Sequence, residues 1–181
     1  MDKHKKNYLK FFLGLFLCLF ARLIPFRAPN IEPLLATLMP FGKVYGAFAG
    51  FSFGALSILL YDVLTHTLGA QTFFTVSAYG LLGVFAAFYF RKRESKIMNY
   101  VTFAVFGTLF FDAMTGLTVG PIVFHQTFSS ALYGQVPFTA LHLFGNIIFA
   151  IILSPAIYNV VAKNKKPAGV PAMNIINPKA I

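Results

Sequence analysis

Long apolar runs, each closed by a short basic or proline-bearing break, divide the chain. The first run covers residues 8–25 and ends at Pro25. The stretch P-F-R-A-P-N-I-E-P, residues 25–33, carries three prolines in nine positions and cannot continue a helix. Asn30 suits an N-cap, with Glu32 in the first turn and Pro33 near the helix start. A short apolar segment, 31–42, follows, below the roughly 20 residues an untilted membrane crossing needs. Further runs occupy 44–64, 72–90, 97–115 and 138–161. Between the last two, 116–137 is less apolar. Pro121 and Gly134 there read as the start and end of a short outer lid helix, 121–134.

Within the 44–64 run, Gly46, Gly50 and Gly54 recur every fourth residue, with Ser57 near the same stripe. On a helix they share one face. In water each glycine costs about 1 kcal/mol relative to alanine, whereas in lipid small residues let helix backbones approach closely. The run is therefore expected to be a central packing helix. Gly14, Cys18 and Ala21 form a second small-residue face on the first helix.

Composition places these runs in a membrane. Charged residues make up 11% of the 181 and hydrophobic residues 57%, against about 25% charged in a soluble domain. The expectation is one all-α integral membrane domain over 1–162, with about six transmembrane helices and a disordered tail at 163–181. The basic start followed by a long apolar run without a small-residue cleavage site reads as a retained helix rather than a signal peptide. The net charge of +10 invites a nucleic-acid reading, but the cations cluster between apolar runs and serve better as topology signals. Lys3, Lys5, Lys6, Lys10, Lys43, Arg91, Lys92, Arg93, Lys96, Lys163, Lys165 and Lys166 mark one side, whereas 65–71 and 116–137 contain no Lys or Arg. Both termini are thus expected in the cytoplasm. Arg22 and Arg27, at the opposite side, break the pattern and are functional candidates.

Few polar residues interrupt the apolar runs. Asp62 and Asp112 fall at outer helix ends, where a carboxylate opposes the helix dipole unless paired. Arg22 is the expected partner of Asp62, with Arg27 the alternative, as a structural ion pair. Tyr61-Asp62-Val63-Leu64-Thr65 also rhymes with Phe111-Asp112-Ala113-Met114-Thr115. His142 and Asn146 share a helix face and are expected to meet a ligand or another helix. His125 and Gln126 sit where they can close over the same space. Phe73, Phe74, Tyr79, Phe124, Phe128 and Tyr133 are available to line a pocket for a flat ring. The resulting substrate-binding set is Arg27, Asn30, Asp112, His125, Gln126, His142 and Asn146. A competing reading is an intramembrane metalloenzyme using Asp62, His66, Asp112 and His142; a third is a structural membrane protein with no ligand. There is no HExxH and no phosphate-binding G-x-x-x-x-G-K-[ST] loop. Neither resident metal nor cofactor is expected.

An ordered set of motifs carries a family resemblance: Arg22 to Pro33 (R-x-x-P…P-N-I-E-P), Y-G-A-F-A-G-F-S-F-G…Y-D, the R-K-R turn, F-D-A-M-T-G-L-T-V-G-P and P-F-T-A-L-H-L-F-G-N. Across nearly the whole chain to Val161 it resembles the substrate-binding S components of energy-coupling-factor transporters, vitamin importers of the prokaryotic plasma membrane. The resemblance implies a vitamin-like ligand bound near the outer face, with riboflavin, corrinoids and queuosine precursors all open. It also implies no ATPase activity in this chain. The partners it implies are a membrane coupling subunit and two ATP-binding-cassette subunits, with Gly14, Cys18 and Ala21 in place of the family's alanine-rich docking face.

Overall fold

The computed structural model describes residues 3–25 and 31–163, and every regular element among them is an α-helix: α1 (Lys3–Leu23), α2 (Leu34–Tyr45), α3 (Ala47–Leu64), α4 (Ala70–Phe90), α5 (Ile97–Val123) and α6 (Phe128–Ala162). Among the described residues, four helices, α3 to α6, are long and apolar enough to cross a membrane, so the protein is membrane-embedded. Arg27, Asn30 and the tail beyond 163 lie outside the described residues.

The centre of the bundle is α2 rather than the glycine-bearing helix. Its 12 residues rise about 18 Å, well short of a bilayer. Every side chain from Leu34 to Val44 is buried, and α2 touches all five other helices. A helix apolar on all faces is a core helix. It also contains Pro40, which has no N–H to give the carbonyl of Ala36 four residues back. That orphaned carbonyl is taken by the Ser154 hydroxyl of α6, at 2.9 Å and fully buried. Ser154→Ala is expected to cost about 1–2 kcal/mol, the usual charge for a buried acceptor left empty. Most of that loss should vanish in a Pro40→Ala background, where the backbone supplies its own N–H. Equal losses in both backgrounds, measured by thermal unfolding in detergent, would refute the compensation.

The helix from 44 to 64 expected above is broken at its start. Gly46 has φ +91°, which ends α2 and starts α3 within one residue. A Cβ there would meet nothing within 4 Å. Gly46 is therefore a hinge-forming glycine and not part of the packing ladder, because only glycine takes this conformation cheaply. The close approach belongs to Gly50 and Gly54 against α4. A Cβ on Gly50 would lie 2.4 Å from the Gly83 carbonyl oxygen, and one on Gly54 would lie 2.2 Å from that of Tyr79. The partner, Gly83, is equally tight: its Cβ would sit 2.0 Å from the Gly50 oxygen.

The other correction concerns 116–137. No separate lid helix runs from 121 to 134. α5 continues through Pro121 to Val123, and α6 begins at Phe128 and passes through Gly134 and Pro137. The turn between them is closed by the Phe124 and Gln126 amides, both donating to the Gly120 carbonyl, with His125 at φ 54°. Thr127 caps α6 by accepting from the Ser130 amide at 3.3 Å. α5 and α6 are therefore about 40 and 52 Å long, more than the roughly 30 Å hydrocarbon layer.

Lys10 and Lys43 anchor one end of the bundle. Lys10 of α1 donates to the Val160 carbonyl near the end of α6 at 2.7 Å. Lys43, buried at the end of α2, donates to the carbonyls of Phe90 and Arg93 at the C-terminus of α4, where a cation complements the helix dipole. Its ammonium also stands 5.5 Å from the Tyr158 ring of α6. The starts of α1 and α5 and the ends of α2, α4 and α6 thus share this basic end.

Candidate functional site

The opposite end is organised by a buried ion pair. Arg22, in the last turn of α1, meets Glu32 just before α2 at 3.0 Å, with both side chains about nine-tenths buried. The Tyr79 hydroxyl of α4 donates to the other Glu32 oxygen at 2.9 Å. One Arg22 nitrogen donates to the Ser57 carbonyl at 3.2 Å, and the guanidinium lies 4.2 Å from the Tyr61 ring centre. The expected Arg22–Asp62 pair is thereby corrected. Glu32 holds the arginine, since a carboxylate anchored beside α2 is already desolvated with it. Asp62 instead accepts from the Thr72 hydroxyl at 2.7 Å. Thr72 also accepts from the Gly69 amide, so it ties the end of α3 to the start of α4.

Two adjoining cavities open around this cluster. The first, about 210 Å³, is lined by Arg22, Glu32, Asp62, Thr67, Gln71, Thr75, Tyr79, Ile58 and Phe111. The second, about 460 Å³, shares Gln71 and Thr75 and extends between α4, α5 and α6. Its polar lining consists of Gln71, Thr75, Thr115, Gln126, Ser130 and Gln135, with Phe124 and Phe138 as aromatic walls. Among the described residues that line it, none is ionisable. Two glycines of α5 make room for two of the amides. A Cβ on Gly116 would stand 1.7 Å from Gln135 Oε1, and one on Gly120 would stand 2.9 Å from Gln126 Oε1. Gln135 is further oriented by donating to the Thr139 hydroxyl at 3.2 Å. The set offers several donors and acceptors and aromatic faces, the recognition chemistry of a neutral, planar, polar molecule.

Asp112, His142 and Asn146 line neither cavity. His142 Nδ1 lies 2.7 Å from Asp112 Oδ1, with both side chains 3% exposed. Asn146 donates to the Thr108 hydroxyl at 2.8 Å, which in turn donates to the Ala104 carbonyl. These residues fasten α5 to α6, so the helix-to-helix alternative describes their contacts. They stand behind the cavity walls: the His142 ring meets Phe111 and Phe138 edge-on, at 5.6 and 5.8 Å. Each of those two rings lines one cavity.

Of the other candidates, Gln126, Tyr79 and Phe124 do line the cavities. His125 is exposed at the turn and outside their lining. Phe73, Phe128 and Tyr133 are exposed by 72, 59 and 78% and line neither. The residues missed were Gln71, Thr75, Thr115, Ser130 and Gln135. Their signal was a cluster of uncharged amides and hydroxyls around the G-x-x-x-G of Gly116 and Gly120.

The two-ligand face proposed for a metal does not form. α3 ends at Leu64, and His66 takes φ 57° after it, which removes the helical spacing from Asp62. Among the described residues, no three His, Cys, Asp or Glu side chains converge. The rhyme between the two aspartates has a local basis: the Thr65 and Thr115 hydroxyls both donate four residues back, to Tyr61 and Phe111.

On α1, Gly14 packs against the Phe41 ring, where a Cβ would come within 2.4 Å of Cζ. Cys18 is buried. With Ala21 they form one wall of an apolar groove of about 400 Å³ between α1 and α6. The small-residue face is thus turned toward the protein's own helices. A search against protein families and against characterised proteins finds no match for this chain.

Proposed function

We propose that this chain is the substrate-binding membrane subunit of an energy-coupling-factor importer, capturing an uncharged, vitamin-like heterocycle. The reading rests on the second cavity: an amide- and hydroxyl-lined space with no ionisable group among its described lining residues, at the end of the bundle opposite Lys10 and Lys43. By the positive-inside rule the basic end faces the cytoplasm, which directs the cavity outward. On this reading α1 and the short α2 complete six membrane segments, both termini are cytoplasmic, and the membrane is a prokaryotic plasma membrane. The sequence has no phosphate-binding loop of its own. Energy therefore comes from partners, a membrane coupling subunit and two ATP-binding-cassette ATPases. The Arg22–Glu32–Tyr79 cluster holds the first helix against the mouth of the site.

The test is binding. Native mass spectrometry of the purified protein should show one retained small molecule, or a panel of riboflavin, corrinoids and queuosine precursors should contain one that raises its melting temperature. A ligand at 100 times its Kd adds about 2.7 kcal/mol. Gln71→Leu and Gln135→Leu should each weaken that ligand about tenfold, the worth of one good hydrogen bond, with the ligand-free melting temperature unchanged. No retained molecule and no stabilisation across the panel would sink the reading.

A further inference from the structure

The outer hairpin, where α5 turns into α6, has the wrong surface for water. From Ala113 to Ala162 the chain carries no Asp, Glu, Lys or Arg, a run of 50 residues. Yet both helices outlast the hydrocarbon layer. Lys96 and Lys163 flank their basic-end termini, and about 20 residues from each spans 30 Å. The remainder, roughly residues 117–142, would stand clear of the hydrocarbon on an upright bundle. That portion exposes Ile122 (61%), Phe124 (60%), Phe128 (59%), Tyr133 (78%) and Val136 (64%). A tip projecting into solvent normally carries charge, and contiguous exposed apolar surface marks a contact. Polar but uncharged groups, Gln126, Thr127, Ser129 and Ser130, sit among these aromatics. Aromatic bodies mixed with uncharged hydrogen-bonding groups suit the layer of glycerol esters and headgroups.

We infer that the hairpin tip, about residues 120–136, is immersed in the headgroup layer of the outer leaflet, with lipid as the partner of this surface. The bundle accommodates the extra helix length by tilting, as long spans do. The second cavity, whose walls include Phe124, Gln126 and Ser130 of this tip, then opens into the membrane interface rather than into bulk water. The inference depends on the membrane placement and not on which molecule the cavity holds.

The chain contains no tryptophan, so a single introduced one reports alone. Phe128→Trp and Tyr133→Trp replace exposed rings and should leave the fold intact, which unchanged melting in detergent verifies. The full-length variants are reconstituted in phosphatidylcholine vesicles. Nitroxide placed near the lipid headgroup should quench both tryptophans several-fold more than iodide in the aqueous phase does. Quenching by iodide as complete as for free tryptophan would place the tip in water and overturn the inference. Protection from both quenchers would place a second copy or another protein on the surface and overturn it as well. Ligand binding by these variants is a separate measurement, so its outcome does not decide this one.

Discussion

Gly83→Val abolishes the α3–α4 seam and, with it, the folded protein. The new Cβ would stand 2.0 Å from the Gly50 carbonyl oxygen and 2.2 Å from its carbon. Both are backbone atoms, so no side-chain rotation can relieve the overlap. The contact is reciprocal, since a Cβ on Gly50 would strike the Gly83 oxygen. The third neighbour is α2, because a Cβ on Gly42 would lie 3.0 Å from that same oxygen. Separating α3 from α4 therefore also loosens the central helix. Overpacking a core typically costs 1–3 kcal/mol when side chains can adjust, and here the helices themselves must move. A loss of about 3 kcal/mol or more is expected, read as aggregation on size exclusion or a collapsed melting temperature in detergent. Gly134→Ala is the control. That glycine is mid-helix with nothing within 4 Å of a new Cβ, and alanine there should stabilise by up to about 1 kcal/mol. Tolerance of valine at 83 would refute the close approach.

Asp112→Ala is the second large loss. It leaves His142 without its partner at 2.7 Å in a site where both side chains are 3% exposed. Breaking a buried pair from one side costs about 3–5 kcal/mol when the pair is ionised. Neutral interhelical hydrogen bonds in membranes average only about 0.6 kcal/mol. A cycle of Asp112→Ala, His142→Phe and the double variant separates the two. The expected coupling is about 2–3 kcal/mol, the upper part of the range for residues in contact, and Asp112→Asn should recover part of the loss by keeping an acceptor oxygen. A coupling near the neutral average would reduce the pair to an ordinary helix contact. The pair also backs both cavity walls through Phe111 and Phe138. Ligand affinity should consequently fall in Asp112→Ala even though neither polar side chain lines the cavity.

How far the chain's pattern reveals this architecture differs by element. α4 is nearly as its apolar run suggests, 70–90 against 72–90, because Gly69 and the basic Arg91-Lys92-Arg93 turn bound it on both sides. α2 is legible as a short helix but not as the core. A segment apolar on every face has no direction, and what surrounds it is a tertiary fact. Pro121 and Gly134 misled for a physical reason. In a membrane bundle their propensity costs are offset by neighbouring helices, so punctuation valid in water fails there. Gly46 and Gly50 illustrate the same limit at single-residue scale. They look alike in spacing, yet one bends the backbone and the other admits a carbonyl. The cavities lie at the end whose stretches 65–71 and 116–137 carry no Lys or Arg, whereas Asp112 and His142 lie behind the cavity walls. Ionisable side chains draw attention in a hydrophobic sequence, while the uncharged amides of Gln71 and Gln135 that line the space do not.

The serine of α6 that satisfies the proline-freed carbonyl of α2 lies 118 residues downstream of it. During synthesis the second helix therefore emerges long before its last covering partner exists. At about 18 Å it cannot hold a bilayer position alone, so it must wait in provisional contact with α1, α3 and α4. Native closure is consequently tied to the ribosome's delivery of the final helix, and a stalled chain lacking α6 is a natural client for membrane quality control.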